Sequence, residues 1–320
     1  MPINVRDRVM LWGRASARCS LPECRAQLLE EGVGIGPTLI GECCHIVGES
    51  EKGPRGGSTL KSEERNNYSN LILLCRNHHK VIDENIATYT ITELHRIKSE
   101  HEAWVAQSLN VDNPKLRDEI AYAEIVDEWG KAFDLADWED WVPHLGHFNE
   151  ISRERFERLE ASTIWLAKRV WPGRYRQLDA SFNVFLIVIK DLISTFEIHA
   201  VADRSETKLI TERFYKKEWY APPVYEKLIV QYLTHTELLK ILTREMTKAC
   251  NFVCDMVRAT IDHSYRRTEG VLLHHYGAEF GDSLLRFEYD HKNINSEKLY
   301  LGLEHWREQA LKKAKLERKG

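Results

Sequence analysis

The sequence lacks any apolar run long enough to span a bilayer. Its longest, residues 184–189, falls far short of the roughly 20 residues a transmembrane helix needs. The first eight residues are charged and lack the apolar core of a secretory signal, so a cytoplasmic location is the expectation and no membrane contact is foreseen. Positive charge is not in excess: 45 Lys and Arg against 49 Asp and Glu leave a net charge of −4. A protein held to nucleic acid by bulk attraction is usually basic, so any DNA binding here must rest on local geometry. Internal repeats and low-complexity tracts are missing. With 43% hydrophobic and 29% charged residues, the composition excludes wholesale disorder, collagen-like repeats and a small disulfide scaffold. Cysteine is scarce outside the first 75 residues, which hold five of the seven. In a reducing compartment such crowding points to metal more than to disulfides.

The 320 residues suffice for two domains, and composition changes near residue 110. The expected boundaries are 1–108 and 109–320, joined by a short linker at 110–114. In the first part the pattern predicts a helix over 6–17, a strand over 40–47, a long polar loop over 48–69, a second strand over 70–74, a short helix over 78–83 and a longer one over 92–109 capped by Thr92. In the second part helices are expected over 115–141, 150–171, 178–200 and 204–218. Residues 224–269 contain neither Gly nor Pro. Their apolar positions (Leu228, Tyr232, Leu239, Leu242, Met246, Ala249, Val253, Met256) recur at helical spacing, as in a coiled coil or bundle spine. Two apolar runs at 271–276 and 283–289 predict a hairpin, and a last helix follows from about 296.

The residues that carry chemistry are in the first part. Cys19 and Cys24 are separated by four residues, and Cys75 and His78 by two. Two such pairs can close four ligands around one tetrahedral zinc, and Cys43 or Cys44 is an alternative ligand. A short, glycine-rich segment has little core of its own, so the metal would contribute folding free energy directly.

Interleaved with these ligands are His45 at the end of the first strand, Asn70 at the start of the second, and His79 immediately after His78. This set, with the run from Ser62 to Cys75 and the distal Lys98 and His101, resembles the zinc-stabilised HNH endonucleases, whose core is the ββα-metal (His-Me finger) fold. The resemblance covers residues 12–105. It implies an α+β protein: an N-terminal ββα-metal nuclease module with a structural zinc, followed by a mostly α-helical C-terminal domain. It implies that His45 is the general base, that Asn70 ties the loop between the strands, and that His79 holds a catalytic divalent ion, Mg²⁺ or Mn²⁺. Neighbouring positions on a helix point in different directions, so His78 and His79 can serve two metals.

One position departs from the family. Many relatives carry Asp directly before the general base as a second ligand to the catalytic ion. Here that residue is Cys44, a poor partner for Mg²⁺. Asp83, four residues after His79, would share its helix face and is the expected replacement, with Glu42 a weaker candidate. An imidazole-plus-carboxylate site would favour Mn²⁺ or Ni²⁺.

Arg55, Arg76 and Lys80 are the expected phosphate contacts, with Arg65 a further candidate. Lys98 and His101 are expected to brace the fold, Cys250 and Cys254 to be core residues, and His274 and His275 to hold no second metal. The expected activity is metal-dependent hydrolysis of phosphodiester bonds in DNA by a regulated anti-phage or restriction-type effector, with a protein or small-molecule activator. A homodimer or higher oligomer is expected through the 224–269 helix. The rival reading is a zinc-stabilised DNA-binding or scaffold protein without catalysis.

Overall fold

The computed structural model describes residues 3–32, 36–108, 113–218, 220–276, 283–289 and 299–318. The chain divides into two compact units, Met1–Asp127 and Glu128–Gly320. The expected cut at 108/109 falls earlier, and most of the expected linker lies outside the described residues. The first unit runs on because helix α4 (Asn113–Ala132) begins within it. The Asp127 carboxylate on α4 accepts the Val5 and Arg6 backbone N–H groups, at 3.0 and 2.9 Å. These are orphan donors in the first turn of α1 (Val5–Arg14), whose N-cap is Asn4.

The first unit is built on a hairpin. Strand β1 (Leu29–Gly32) pairs with β2 (Gly36–Leu39) as an outlying ribbon. Strand β3 (Gly41–His45) then runs antiparallel to β4 (Leu71–Cys75), with His45 opposite Leu71 and Gly41 opposite Cys75. Leu71, Ile72, Leu73 and Leu74 are all fully buried, so β4 is covered on both faces. Helix α2 (Arg76–Glu84) follows β4 without a loop and packs back on both strands, burying Ile82. Helix α3 (Ile91–Ser108) adds Leu94 and Ile97 to the same core. Its first turn is capped by Thr90, whose hydroxyl accepts the Glu93 N–H, and not by Thr92. Lys98 and His101 do brace this unit. Lys98 Nζ donates to the Tyr68 and Leu71 carbonyls at 2.8 and 2.7 Å and sits 3.6 Å from the Tyr68 ring centroid. His101 Nε2 lies 3.1 Å from the Ala15 carbonyl. Burial pulls the Lys98 pKa down to about 8.

The second unit is mostly helical: α5 (Trp138–Pro143), α6 (Arg153–Ala167), α7 (Arg176–Glu197), α8 (Pro222–Thr260) and α9 (Leu303–Glu317). Three expectations are corrected. The helix expected over 115–141 breaks after Ala132, where Asp134 takes a left-handed conformation (φ 55°) and its carboxylate receives Arg155 and Arg158. The helix expected over 204–218 is confined to a 3₁₀ turn at Phe214–Glu218, while Lys208–Thr211 forms strand β7, flanked by β5 (Glu150–Ser152) and β6 (Ala200–Ala202). Asp203 makes the turn by accepting the Ser205 hydroxyl and the Lys208 N–H. Finally, the apolar stripe of α8 from Leu239 to Val253 is buried within its own chain, in contact with α7 and α9. That stretch is therefore not a free dimer face, and the helix stops at Thr260, short of 269. Cys250 and Cys254 lie in this core. The expected hairpin is present as β8 (Leu273–Tyr276) and β9 (Ser283–Arg286). No helix among the described residues is long and apolar enough to cross a membrane.

His235 on α8 is buried, edge-on to His199 at 4.8 Å between ring centroids and 3.5 Å from the Thr211 hydroxyl. Burial, with His199 adding to it, lowers its pKa to about 4. The fold thus holds this imidazole neutral, whereas the unfolded chain protonates it below about pH 6.5. Stability should be intact above pH 6.5 and fall by about 3 kcal/mol as pH drops to 4. Thermal melting across this range checks it. His235→Gln should flatten the acid limb; an unchanged acid limb contradicts the assignment.

Candidate active site and metal clip

Four ligand atoms converge where the segment after α1 meets the β4–α2 junction. Those of Cys19, Cys24, Cys75 and His78 all lie within 4.8 Å of one another. His78 Nδ1 is 3.1 Å from Cys75 Sγ and 3.6 Å from Cys19 Sγ. Ligand bonds of 2.0–2.3 Å around a tetrahedral Zn²⁺ place neighbouring donors about 3.5 Å apart, so the cluster fits zinc. Burial disfavours ionisation of the Cys19 thiol and pushes it up to about 12. A bound Zn²⁺ would invert that preference. Cys43 and Cys44 stand outside the cluster.

His79, one residue on, faces a different set. Its Nδ1 is 2.6 Å from Glu42 Oε2 and its Nε2 is 3.3 Å from Asp83 Oδ2. Hydrogen bonds from His79 and then Arg76 hold the Glu42 carboxyl below its ordinary range. Glu42 and Cys44 are alternate residues of β3 and share the face toward α2. Cys44 itself is fully buried, and its thiol donates to the Glu42 carbonyl at 3.3 Å. Burial raises its pKa far above the ordinary thiol range. At the family's Asp position this chain therefore has a dry, neutral thiol, and the carboxylates beside His79 come from Glu42 and Asp83.

His45 closes β3. Its Nε2 lies 2.6 Å from Asn66 Oδ1. Asn70, 3% exposed, donates to the Val47 and Arg65 carbonyls and accepts the Val47 N–H at 2.9 Å. It thus fastens the chain leaving His45 to the chain entering β4. The partner of the His45 ring, however, is Asn66, four residues earlier, which the sequence reading left without a role.

Two arginines expected near phosphate are turned inward. Arg55 is 4% exposed at its side chain. Its guanidinium donates to the Ile46 and Ile82 carbonyls at 2.8 and 2.7 Å and to Asp83 Oδ1 at 2.6 Å. Its backbone is left-handed (φ 55°), a cost that this anchoring sustains. Arg65 is buried on the Gly48, Gly56 and Leu60 carbonyls. The loop over 46–61 is wound so tightly that a Cβ on Gly56 would lie 2.2 Å from the Ser50 carbonyl oxygen. A buried turn of backbone needs donors, and these two guanidinium groups supply them. Arg76 and Lys80, by contrast, are 86% and 76% exposed on α2.

This division predicts opposite phenotypes. Arg55→Ala strands two carbonyls and a carboxylate and should cost about 3–5 kcal/mol of stability. Arg76→Ala and Lys80→Ala should leave melting within about 0.5 kcal/mol. Thermal melts distinguish the two groups.

Residues 24–86 match the model of a family described as HNH endonuclease. No curated protein matches the chain. The first unit thus carries an HNH endonuclease domain with a cluster that fits zinc, and a mostly helical region follows it.

Proposed function

We propose that the protein is a metal-dependent endonuclease that hydrolyses phosphodiester bonds in DNA. The observation that carries this reading is the division between adjacent histidines. His78 points into the thiol cluster, while His79 points away from it, between Asp83 on its own helix and Glu42 on β3, the strand that ends in His45. His79 Nε2 and an Asp83 oxygen are the groups that would hold the catalytic divalent ion, with Glu42 fixing the imidazole through its other nitrogen. When bound, the ion supplies charge compensation to the phosphate and its leaving oxygen. His45 takes the proton from the attacking water, for which a neutral imidazole is suited near pH 7. Asn70 holds the strand end that carries His45, and Arg76 and Lys80 meet the phosphate backbone. The Arg55 bond to Asp83 leaves only one of its oxygens for the ion. An imidazole with a shared carboxylate favours Mn²⁺ or Ni²⁺ over Mg²⁺.

A free nuclease would endanger its own genome, so we read the second unit as a regulator and the whole as an anti-phage or restriction-type effector. A cleft of about 280 Å³ lined by Trp141, Arg155, Glu150 and Lys208 offers a place for a small-molecule activator; a protein activator would need a surface instead. One such site cuts one strand, so cutting both needs a second binding event or a second copy of the chain, which light scattering with and without DNA separates. The rival reading, a DNA-binding or scaffold protein without catalysis, draws on Cys44 at the Asp position. Plasmid incubated in Mg²⁺ and then Mn²⁺ decides between them: cleavage supports the nuclease, and retardation without cutting in either metal supports the binder. Full-rate cleavage of any plasmid by the purified protein alone would remove the regulated version.

A further inference from the structure

We infer that Asn66 is a positioning residue: it fixes His45 as the tautomer protonated at Nε2 and so presents the lone pair of Nδ1 to the water. This deepens the proposed nuclease reading and rests on it for its effect on rate, but the pairing itself can be tested separately.

A neutral imidazole has one N–H and one lone pair, and its partners decide which nitrogen has which. The Asn66 carbonyl oxygen, 2.6 Å from His45 Nε2, can only accept, so Nε2 must donate. His45 Nδ1 then has the lone pair. It meets no partner among the described residues and is not shut away from solvent. An Asn66 amide turned the other way would donate to Nε2, drive the proton to Nδ1 and silence the base.

The support for Asn66 is stiff. Its neighbour Arg65 is held through its carbonyl by Asn70 and through its guanidinium by Gly48 and Gly56. Asn67 N–H donates to Glu64, and Asn70 N–H to Asn67. On the other side His45 is locked in register with Leu71, and Ile46 N–H donates to the Asn70 carbonyl at 2.8 Å. Both partners therefore sit on backbone fixed by the same residue, Asn70. Precision of this kind is what a general base needs, since proton transfer is lost when the ring swings or changes tautomer.

The test is the nitrogen-15 spectrum of the full-length protein labelled at histidine, recorded for wild type, Asn66→Ala and Asn66→Asp, beside plasmid cleavage rates. Wild-type His45 should show a protonated Nε2 and a bare Nδ1. Asn66→Ala should move both signals toward a mixed-tautomer average and lower kcat roughly 10–100-fold with KM and zinc content unchanged. Asn66→Asp, which keeps an acceptor, should restore the wild-type tautomer and most of the rate. A proton on Nδ1 in the wild type, or His45 signals indifferent to Asn66→Ala, would overturn the inference. The expected tautomers without plasmid cleavage in any metal would instead overturn the nuclease reading and with it the effect on rate, leaving the pairing intact.

Discussion

His45→Ala should cost plasmid cleavage 10²–10⁴-fold in kcat, the contribution usual for a positioned acid or base. At 1.36 kcal/mol per factor of ten this amounts to about 3–5 kcal/mol of barrier. The fold should survive the change. His45 ends a strand whose ladder bonds are made by backbone, its ring is half-buried, and the side-chain bond it gives up is the one to Asn66. Zinc content and melting temperature should stay near wild type. DNA affinity should stay too, because Arg76 and Lys80 are untouched. Single-turnover cleavage beside a binding measurement separates the effects. Retained cleavage would show that another group takes the proton, and loss of binding together with cleavage would show a structural role instead.

The second large effect concerns the metal clip. Cys75→Ser, or prolonged chelation, should unfold the first unit. Structural zinc sites contribute about 10–16 kcal/mol of apparent binding free energy, as large as the whole stability of an ordinary domain. The clip joins two places distant in sequence: the segment after α1 and the β4–α2 junction. Without it the helix that places His79 loses its anchor at His78. The second unit has its own core around Leu239, Met246 and Val253, so much of the helical circular-dichroism signal should remain. Limited proteolysis should then cut within residues 1–108 and spare most of the remainder. Unchanged melting after metal removal, verified by metal analysis, would refute the clip.

Much of the site was legible because its chemistry is written in spacing. Two cysteine-type pairs, a histidine at one strand end and adjacent histidines after the next strand specify a hairpin and a helix with little freedom. Charge was less legible, because sequence gives a guanidinium without its direction. Arg55 and Arg65 look like phosphate ligands until the winding of the loop over 46–61 is seen to need buried donors. Asn66 was hidden for another reason. Its partner, His45, lies 21 positions away, and only the β3–β4 register brings the two together. Glu42 stood only as a weaker candidate ligand, because its bond to His79 depends on the packing of α2. The same limit applied to α8. Its apolar stripe is real, but periodicity does not say whether a partner or the chain's own α7 and α9 cover it. Over 204–218 the expected helix gives way because the Asp203 turn and pairing with β5 and β6 outweigh local preference.

The central claim is that neighbouring imidazoles serve different ions. Crystals soaked in Mn²⁺, with anomalous maps taken at the zinc and manganese edges, test it directly. One zinc should appear among Cys19, Cys24, Cys75 and His78, and a separate manganese on His79 Nε2 beside Asp83. A single ion shared by both rings, or a manganese found anywhere but at His79, would contradict it.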